Sequence, residues 1–145
     1  GKGYMGYPVS HAVGQGGPFA YQKFERGDVY TSHRGTFTVE GWIARHFNYY
    51  GGGSGLHGYP TSDMVRQGGS YAYQQFERGV IYTSNRGVFT VDRGTMIDRH
   101  YSYHGGGTGR LGYPTSNRYS LGGGWYGQNF ERGIVHANGS SARDF

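Results

Sequence analysis

The chain repeats one pattern almost three times. Gly6-Tyr7-Pro8, Gly58-Tyr59-Pro60 and Gly112-Tyr113-Pro114 recur, as do Phe24-Glu25-Arg26-Gly27, Phe76-Glu77-Arg78-Gly79 and Phe130-Glu131-Arg132-Gly133. In every copy 18 residues separate the first Gly from the Phe, and the copies start 52 and then 54 residues apart. A period this regular means one structural unit used repeatedly, and units of this size bury a core only by packing on each other. The repetition also bears on function. A binding module gains avidity from several weak sites, whereas an enzyme rarely needs three copies of one active site.

The middle copy shows the anatomy. Gly58-Tyr59-Pro60 is a rigid turn, because Pro fixes φ and Gly tolerates positive φ. Gln67-Gly68-Gly69-Ser70 is a second turn. Ser70 to Gln75 leads into Phe76-Glu77-Arg78-Gly79-Val80-Ile81-Tyr82-Thr83, read as one strand with a bulge or close backbone contact at Gly79. Ser84-Asn85-Arg86-Gly87 turns the chain into a return strand, Val88 to Val91. The period then changes to helical: Ile97, Tyr101 and His104 lie at i, i+4, i+7, matched by Ile43, Phe47 and Tyr50. Gly105-Gly106-Gly107 and Gly51-Gly52-Gly53 stop those helices. The loop between hairpin and helix accounts for the two-residue difference in spacing.

The expected fold is therefore α+β, mostly strand and loop, over one domain spanning 1–145. About three tandem pseudo-symmetric repeats of turn, β-hairpin and short helix pack into a compact ring or stack. Repeat 1 covers about 1–52, repeat 2 about 53–106, and repeat 3, which lacks the helix, about 107–145. Three hairpins and two helices are expected. Phe24, Phe76 and Phe130 are core candidates, joined by Val29, Ile81 and Val135. The Tyr of each Gly-Tyr-Pro is expected to stack on its own Pro.

Composition narrows the function. Hydrophobic residues make up only 34%, with 30 Gly, against 15 Tyr, 8 Phe and 2 Trp, so packing must run through aromatic rings. There is no Cys, hence no disulfide or zinc-thiolate framework. No apolar run approaches the ~18 residues of a membrane span, so no membrane insertion is expected. Net charge is +5, but the Arg residues are spread through the repeats and form no nucleic-acid patch. The chain opens at Gly1 with no signal peptide, which suits a mature product or an excised segment.

The pattern resembles the LGFP repeat, named for a Leu-Gly-Phe-Pro signature. Leu111-Gly112-Tyr113-Pro114 matches it with Tyr for Phe, and Met5-Gly6-Tyr7-Pro8 and His57-Gly58-Tyr59-Pro60 match in part. The Phe-Glu-x-Gly stretch, the following Ile/Val-Tyr, the Gly-led return strand, the Ile-bearing helix and the Gly-rich end also fit, over essentially the whole chain. The resemblance implies a repeat of cell-wall-associated proteins that holds them to wall polysaccharide, and hence a secreted or wall-associated location. The chain departs from the family at Arg26, Arg78 and Arg132, where Gly is usual, and at Thr31, Thr83 and Ala137, where an aromatic is common.

The expected function is a non-catalytic carbohydrate-binding module that recognises cell-wall or surface polysaccharide multivalently, with sites in or between repeats. Two alternatives stay open: a free-standing lectin for soluble glycans, and a self-associating structural protein. A homo-oligomer or a larger parent protein fits either. Candidate sugar contacts are Glu25-Arg26, Glu77-Arg78 and Glu131-Arg132, whose carboxylate and guanidinium suit vicinal hydroxyls but equally suit ties between repeats. Tyr30, Tyr82 and His136 join them, since strand alternation turns them to the face opposite the core residues. Trp125 and Trp42 are candidate sugar platforms or packing residues. Catalysis by these Glu with Asp92 or Asp98 is not expected, because no nucleophile elbow, phosphate loop or zinc motif accompanies them. Arg45-His46 and Arg99-His100 read as structural hydrogen-bonding pairs. No cofactor or metal is expected, because the seven His show no spacing typical of zinc ligation.

Overall fold

The computed structural model describes residues 5–145, so the first four residues of repeat 1 lie outside the described part. It is mostly β, with three four-stranded antiparallel sheets, one per repeat, and two helices. The first sheet comprises β1 (Val13–Gly14), β2 (Ala20–Phe24), β3 (Gly27–Ser32) and β4 (Gly35–Glu40). Helix α1 (Gly41–Tyr49) follows. The second comprises β5 (Val65–Arg66), β6 (Ala72–Gln75), β7 (Gly79–Ser84) and β8 (Gly87–Asp92), followed by α2 (Met96–Tyr103). The third comprises β9 (Tyr119–Gly122), β10 (Trp125–Phe130), β11 (Gly133–Ala137) and the short return strand β12 (Ala142–Asp144). The expected hairpins thus lie inside wider sheets. The two expected helices are present, with Ile43, Phe47, Ile97 and Tyr101 buried.

Phe-Glu-Arg-Gly does not lie within one strand. It is the turn between β2 and β3, and its counterparts join β6 to β7 and β10 to β11. The Gly-Tyr-Pro segment, docked across that turn, makes the corner. Glu77 N–H donates to Tyr59 C=O at 3.0 Å and Arg78 N–H to His57 C=O at 2.9 Å. In return Tyr59 N–H donates to Glu77 Oε1 at 2.8 Å. The same carboxylate bond holds Tyr7 to Glu25 (2.9 Å) and Tyr113 to Glu131 (2.8 Å). Pro8, Pro60 and Pro114 each bridge to Phe24, Phe76 and Phe130. The invariant 18-residue spacing is the length of chain between the two halves of this clamp. Gly58 has φ +74°, and a Cβ there would lie 2.6 Å from Glu77 Oε1, so both backbone conformation and space demand glycine.

Each helix serves two sheets. Helix α1 packs on β3 and β4 of its own repeat and on β7 and β8 of the next, and α2 packs on β8, β11 and β12. Across these interfaces Phe47 meets Phe76 at a centroid distance of 4.6 Å, and Tyr101 meets Phe130 at 4.5 Å. One core holds Val39, Ile43, Ala44, Phe47, Tyr59, Phe76 and Ile81. The other holds Val91, Ile97, Tyr101, Leu111, Phe130, Val135 and Ala137. Phe24 and Val29, expected in the core with their counterparts, are only half-buried. Among the described residues no helix precedes the first sheet to cover them. The Tyr of Gly-Tyr-Pro also behaves differently from expectation. Tyr59 packs on Phe19 and Tyr30, and Tyr113 on Tyr71 and Tyr82, all in the preceding repeat, while Tyr7 is 52% exposed. Gly53 and Gly107 permit this approach, because a Cβ at either would lie 2.6 or 2.5 Å from the tyrosine ring.

Side chains of the next repeat cover the open strand edge of each repeat. Thr38, in edge strand β4, gives its N–H to Asp63 Oδ1 (3.4 Å), and its C=O accepts from Gln74 Nε2 (2.8 Å). Thr90, in β8, repeats the arrangement with Asn117 Oδ1 (2.9 Å) and Gln128 Nε2 (2.9 Å). Each glutamine also donates to its own repeat, Gln74 to Ser62 C=O and Gln128 to Ser116 C=O, both at 2.8 Å. Both side chains are fully buried. Their positions were not singled out in the sequence, since a Gln within a Tyr-rich strand carries no signal that it faces a neighbouring edge.

Two substitutions test this architecture. Gly58→Ala is expected to lower unfolding free energy by about 2 kcal/mol or more, from left-handed strain and contact with Glu77. Gln74→Ala is expected to cost about 2–4 kcal/mol by orphaning two carbonyls. Gln22→Ala, whose amide reaches only Ser10 C=O of its own repeat, should cost clearly less. Urea unfolding of the three variants reads all of these values.

Candidate functional site

The Glu-Arg pairs are committed within the clamps. Arg78 Nε donates to Leu56 C=O at 3.1 Å and its Nη2 to Gly55 C=O at 2.6 Å. Arg132 makes the same bonds to Arg110 C=O and Gly109 C=O, each at 2.9 Å. Glu131 also accepts from Tyr71 Oη of the preceding repeat at 2.9 Å. Glu25 holds Tyr7 N–H as described. Arg26, the Arg of the first repeat, also lines a groove. Asp92 pairs with Arg118 at 3.1 Å, and Asp98 accepts from Gly94 N–H at 3.0 Å at the start of α2.

Tyr30 and Tyr82 do not face solvent. Alternation does place them opposite Val29 and Ile81, but that face is covered too, by the helix of the same repeat and the tyrosine of the next. Tyr30 is buried against Tyr21, Phe47 and Tyr59. Tyr82 is half-buried against Tyr73, Tyr101 and Tyr113. Burial pushes both hydroxyls well above the usual tyrosine range, and Tyr113 up to about 12. These phenols stay neutral and form an inner aromatic cluster. His136 and Trp125, in contrast, come together with Leu121, Gly122 and Arg143 around a depression of about 380 Å³.

A concavity of about 930 Å³ opens where the N-terminus of α1 meets the second sheet. Trp42 and Met64 line it with Ala72 and Val88, and Arg26, Glu40 and Arg66 supply charge. Arg66 Nη2 pairs with Glu40 Oε1 at 3.0 Å. Trp42 is 64% exposed, and the Arg45 guanidinium sits 4.7 Å from its ring. The groove does not end there. Trp42 and Val88 also border a depression of about 420 Å³ with Tyr49, Tyr50 and Asn117. Tyr50 and Asn117 in turn border one of about 230 Å³ with Leu56, Asp92 and Arg118. The three share walls and follow α1 from its first turn to the third repeat.

The second junction is built differently. The positions of Met64 and Ala72 are taken by Arg118 and Tyr126, with the guanidinium 4.9 Å from the ring and paired to Asp92. The two extra residues before α2 bring in Arg93, which donates to Phe76 C=O (3.1 Å) and Gln75 Oε1 (3.0 Å). Side chains occupy what is open space at the first junction. Trp42 was a candidate in sequence, but the groove beside it depends on Met64 and Ala72 of another repeat and gave no linear signal.

A histidine cluster sits beneath this surface. The Thr90 hydroxyl lies between His46 Nε2 (2.8 Å) and His57 Nε2 (2.7 Å); with a single hydrogen to give, it accepts from at least one of the two rings. His100 occupies the position of His46 and bonds Asp144 Oδ1 at 2.7 Å. The recurring helix His thus makes the expected structural bond to the next return strand. Burial, with His46 and Arg78 nearby, pulls His57 down to about 4. Burial also lowers His46.

Among known protein families, the LGFP repeat matches residues 58–109, the span of the middle unit. The motifs quoted above extend on both sides of that match. No curated protein matches the chain.

A buried His57 that binds protons less readily folded than unfolded makes stability rise with pH. The contribution is complete above about pH 6.5, the ordinary histidine value, and is lost as pH falls toward about 4. Unfolding free energies from urea titrations at pH 7.5 and 4.5 should differ by about 2 kcal/mol more for the parent chain than for His57→Leu. The third repeat already carries Leu111 at this position, fully buried.

Proposed function

Taking the LGFP repeat as its central unit, we propose that this chain is a non-catalytic carbohydrate-binding module. Its ligand is an extended cell-wall or surface polysaccharide, held outside the cell. The repeats stack with a helix packed between successive sheets. The stack carries its binding surface along the flank of α1.

The observation that carries this reading is the position of Trp42. An exposed indole stands between adjoining depressions, with Arg26, Glu40, Arg66 and Asn117 around it. An indole face packs on sugar C–H groups, while charged and amide groups bond hydroxyls. Three depressions in line suit a polymer better than a single sugar, since each adds a subsite along one chain. Trp125 with His136 forms a smaller, separate candidate surface on the third sheet. The Glu-Arg clamps, Tyr30 and Tyr82 act in this reading as the scaffold behind the surface.

Affinity electrophoresis through soluble glucans, mannans and uronic-acid polymers, with pull-down on insoluble wall preparations, tests the proposal. Trp42→Ala should weaken retention about ten-fold with an unchanged melting temperature, and Trp125→Ala should change it less. Absence of retention on every polymer, or retention indifferent to Trp42→Ala, overturns the reading. Concentration-dependent size in solution would then favour the self-associating alternative.

A further inference from the structure

We propose that His100, His104 and Asp144 form a binding site for a divalent transition-metal ion of the zinc class. The two histidines lie four residues apart on one face, one in α2 and the other at its C-terminal cap, so their rings are neighbours. Their centroids are 4.6 Å apart. Asp144 arrives from far along the chain, because β12 pairs with β11 in a register that sets Asp144 opposite Val135. One ligand atom from each of the three residues falls within 4.8 Å of the others. Tetrahedral ligands of zinc stand roughly 3.4 Å apart. No pair therefore has to close by more than about 1.4 Å.

A cation already marks the position. The Arg110 guanidinium pairs with both Asp144 oxygens, through Nη1 to Oδ2 and Nη2 to Oδ1, the latter at 2.9 Å. Its Nη2 also donates to His104 Nε2 at 3.2 Å. That bond requires a lone pair on His104 Nε2, aimed where the positive charge sits. The His104 lone pair and both Asp144 oxygens therefore already converge on a cation, while His100 Nε2, which donates to Asp144 Oδ1 at 2.7 Å, releases that proton when it takes a metal. Arg110 competes for the site through two bonds to Asp144, which an entering ion must replace, but its side chain is 52% exposed and has solvent to move into. It can turn into solvent and exchange places with an ion.

The first junction shows that packing alone does not call for this set. There His46 meets Thr90, and the counterparts of His104 and Arg110 are Tyr50 and Leu56. One histidine-to-strand bond suffices to join helix and sheet. The second junction replaces the hydroxyl with a carboxylate and sets its second imidazole, His104, at the end of the helix, where the first junction has Tyr50 there and His57 in the turn. A bound ion would pin β12, the last strand, to α2.

Tag-free protein titrated calorimetrically with zinc chloride, and melted with and without it, tests the site. One zinc per chain and a raised melting temperature are expected, with magnesium giving neither. His104→Gln should weaken zinc binding at least ten-fold, and Arg110→Gln should strengthen it by a similar factor, because the competing cation is gone. If His104→Gln melts early without metal, Asp144→Asn serves in its place. No zinc binding by the parent chain, even if Arg110→Gln binds, overturns the proposal. So does binding that survives the ligand substitutions, or equal binding of magnesium.

Discussion

The backbone N–H and C=O of one threonine per junction hold this molecule in register. The Thr38 and Thr90 amides lie on open strand edges, where an unpaired N–H and C=O would invite another strand. Here each pair is taken by two side chains of the following repeat, an Asp or Asn accepting and a Gln donating. A side-chain amide is thus used as a substitute strand. Because the Gln donates simultaneously to its own repeat, the junction tolerates no sliding. The helices contribute apolar burial in both directions, but burial is non-directional. The glutamine bonds choose which of the many ways of packing a helix on a sheet is adopted.

The sequence disclosed the repeat and its limits well. Helix positions followed from Ile43-Phe47 and Ile97-Tyr101, and their ends from the triple glycines, because both signals are local. The errors came from treating each copy alone. Phe-Glu-Arg-Gly looked like strand because its Phe is apolar and its followers are β-formers, and nothing within ten residues reveals the Gly-Tyr-Pro segment that bends it. Phe24 was grouped with Phe76 by identity, yet burial depends on the helix before it. Tyr30 and Tyr82 were turned outward by alternation, which orients a side chain but does not say what lies beyond. The candidate surface was less legible still: Trp42 was visible, whereas the groove beside it needs residues from two repeats.

Small departures from the repeat separate the two junctions. Met64 and Ala72 leave space where Arg118 and Tyr126 fill it, and the insertion ahead of α2 adds Arg93 to the filling. Near the other end of the helices, Leu56 and Tyr50 give way to Arg110 and His104. A duplicated scaffold has been kept by its clamps and glutamines while the flanks diverged. Repetition in this chain is therefore a statement about architecture, and chemistry has to be sought where the copies disagree.

The reach of Tyr59 and Tyr113 has a consequence for what counts as a part. Each ring completes the aromatic cluster of the repeat before it, and each hydroxyl donates back to Gln15 or Gln67. The clusters that bury apolar surface are thus offset from the modules that repeat in sequence: each helix draws together the sheet before it, the opening turn of the next copy and part of the next sheet. A protease or a gene fusion cutting after the triple glycine would respect the repeat and bisect a core. One cutting beyond Pro60 or Pro114 would leave the preceding core with its tyrosine.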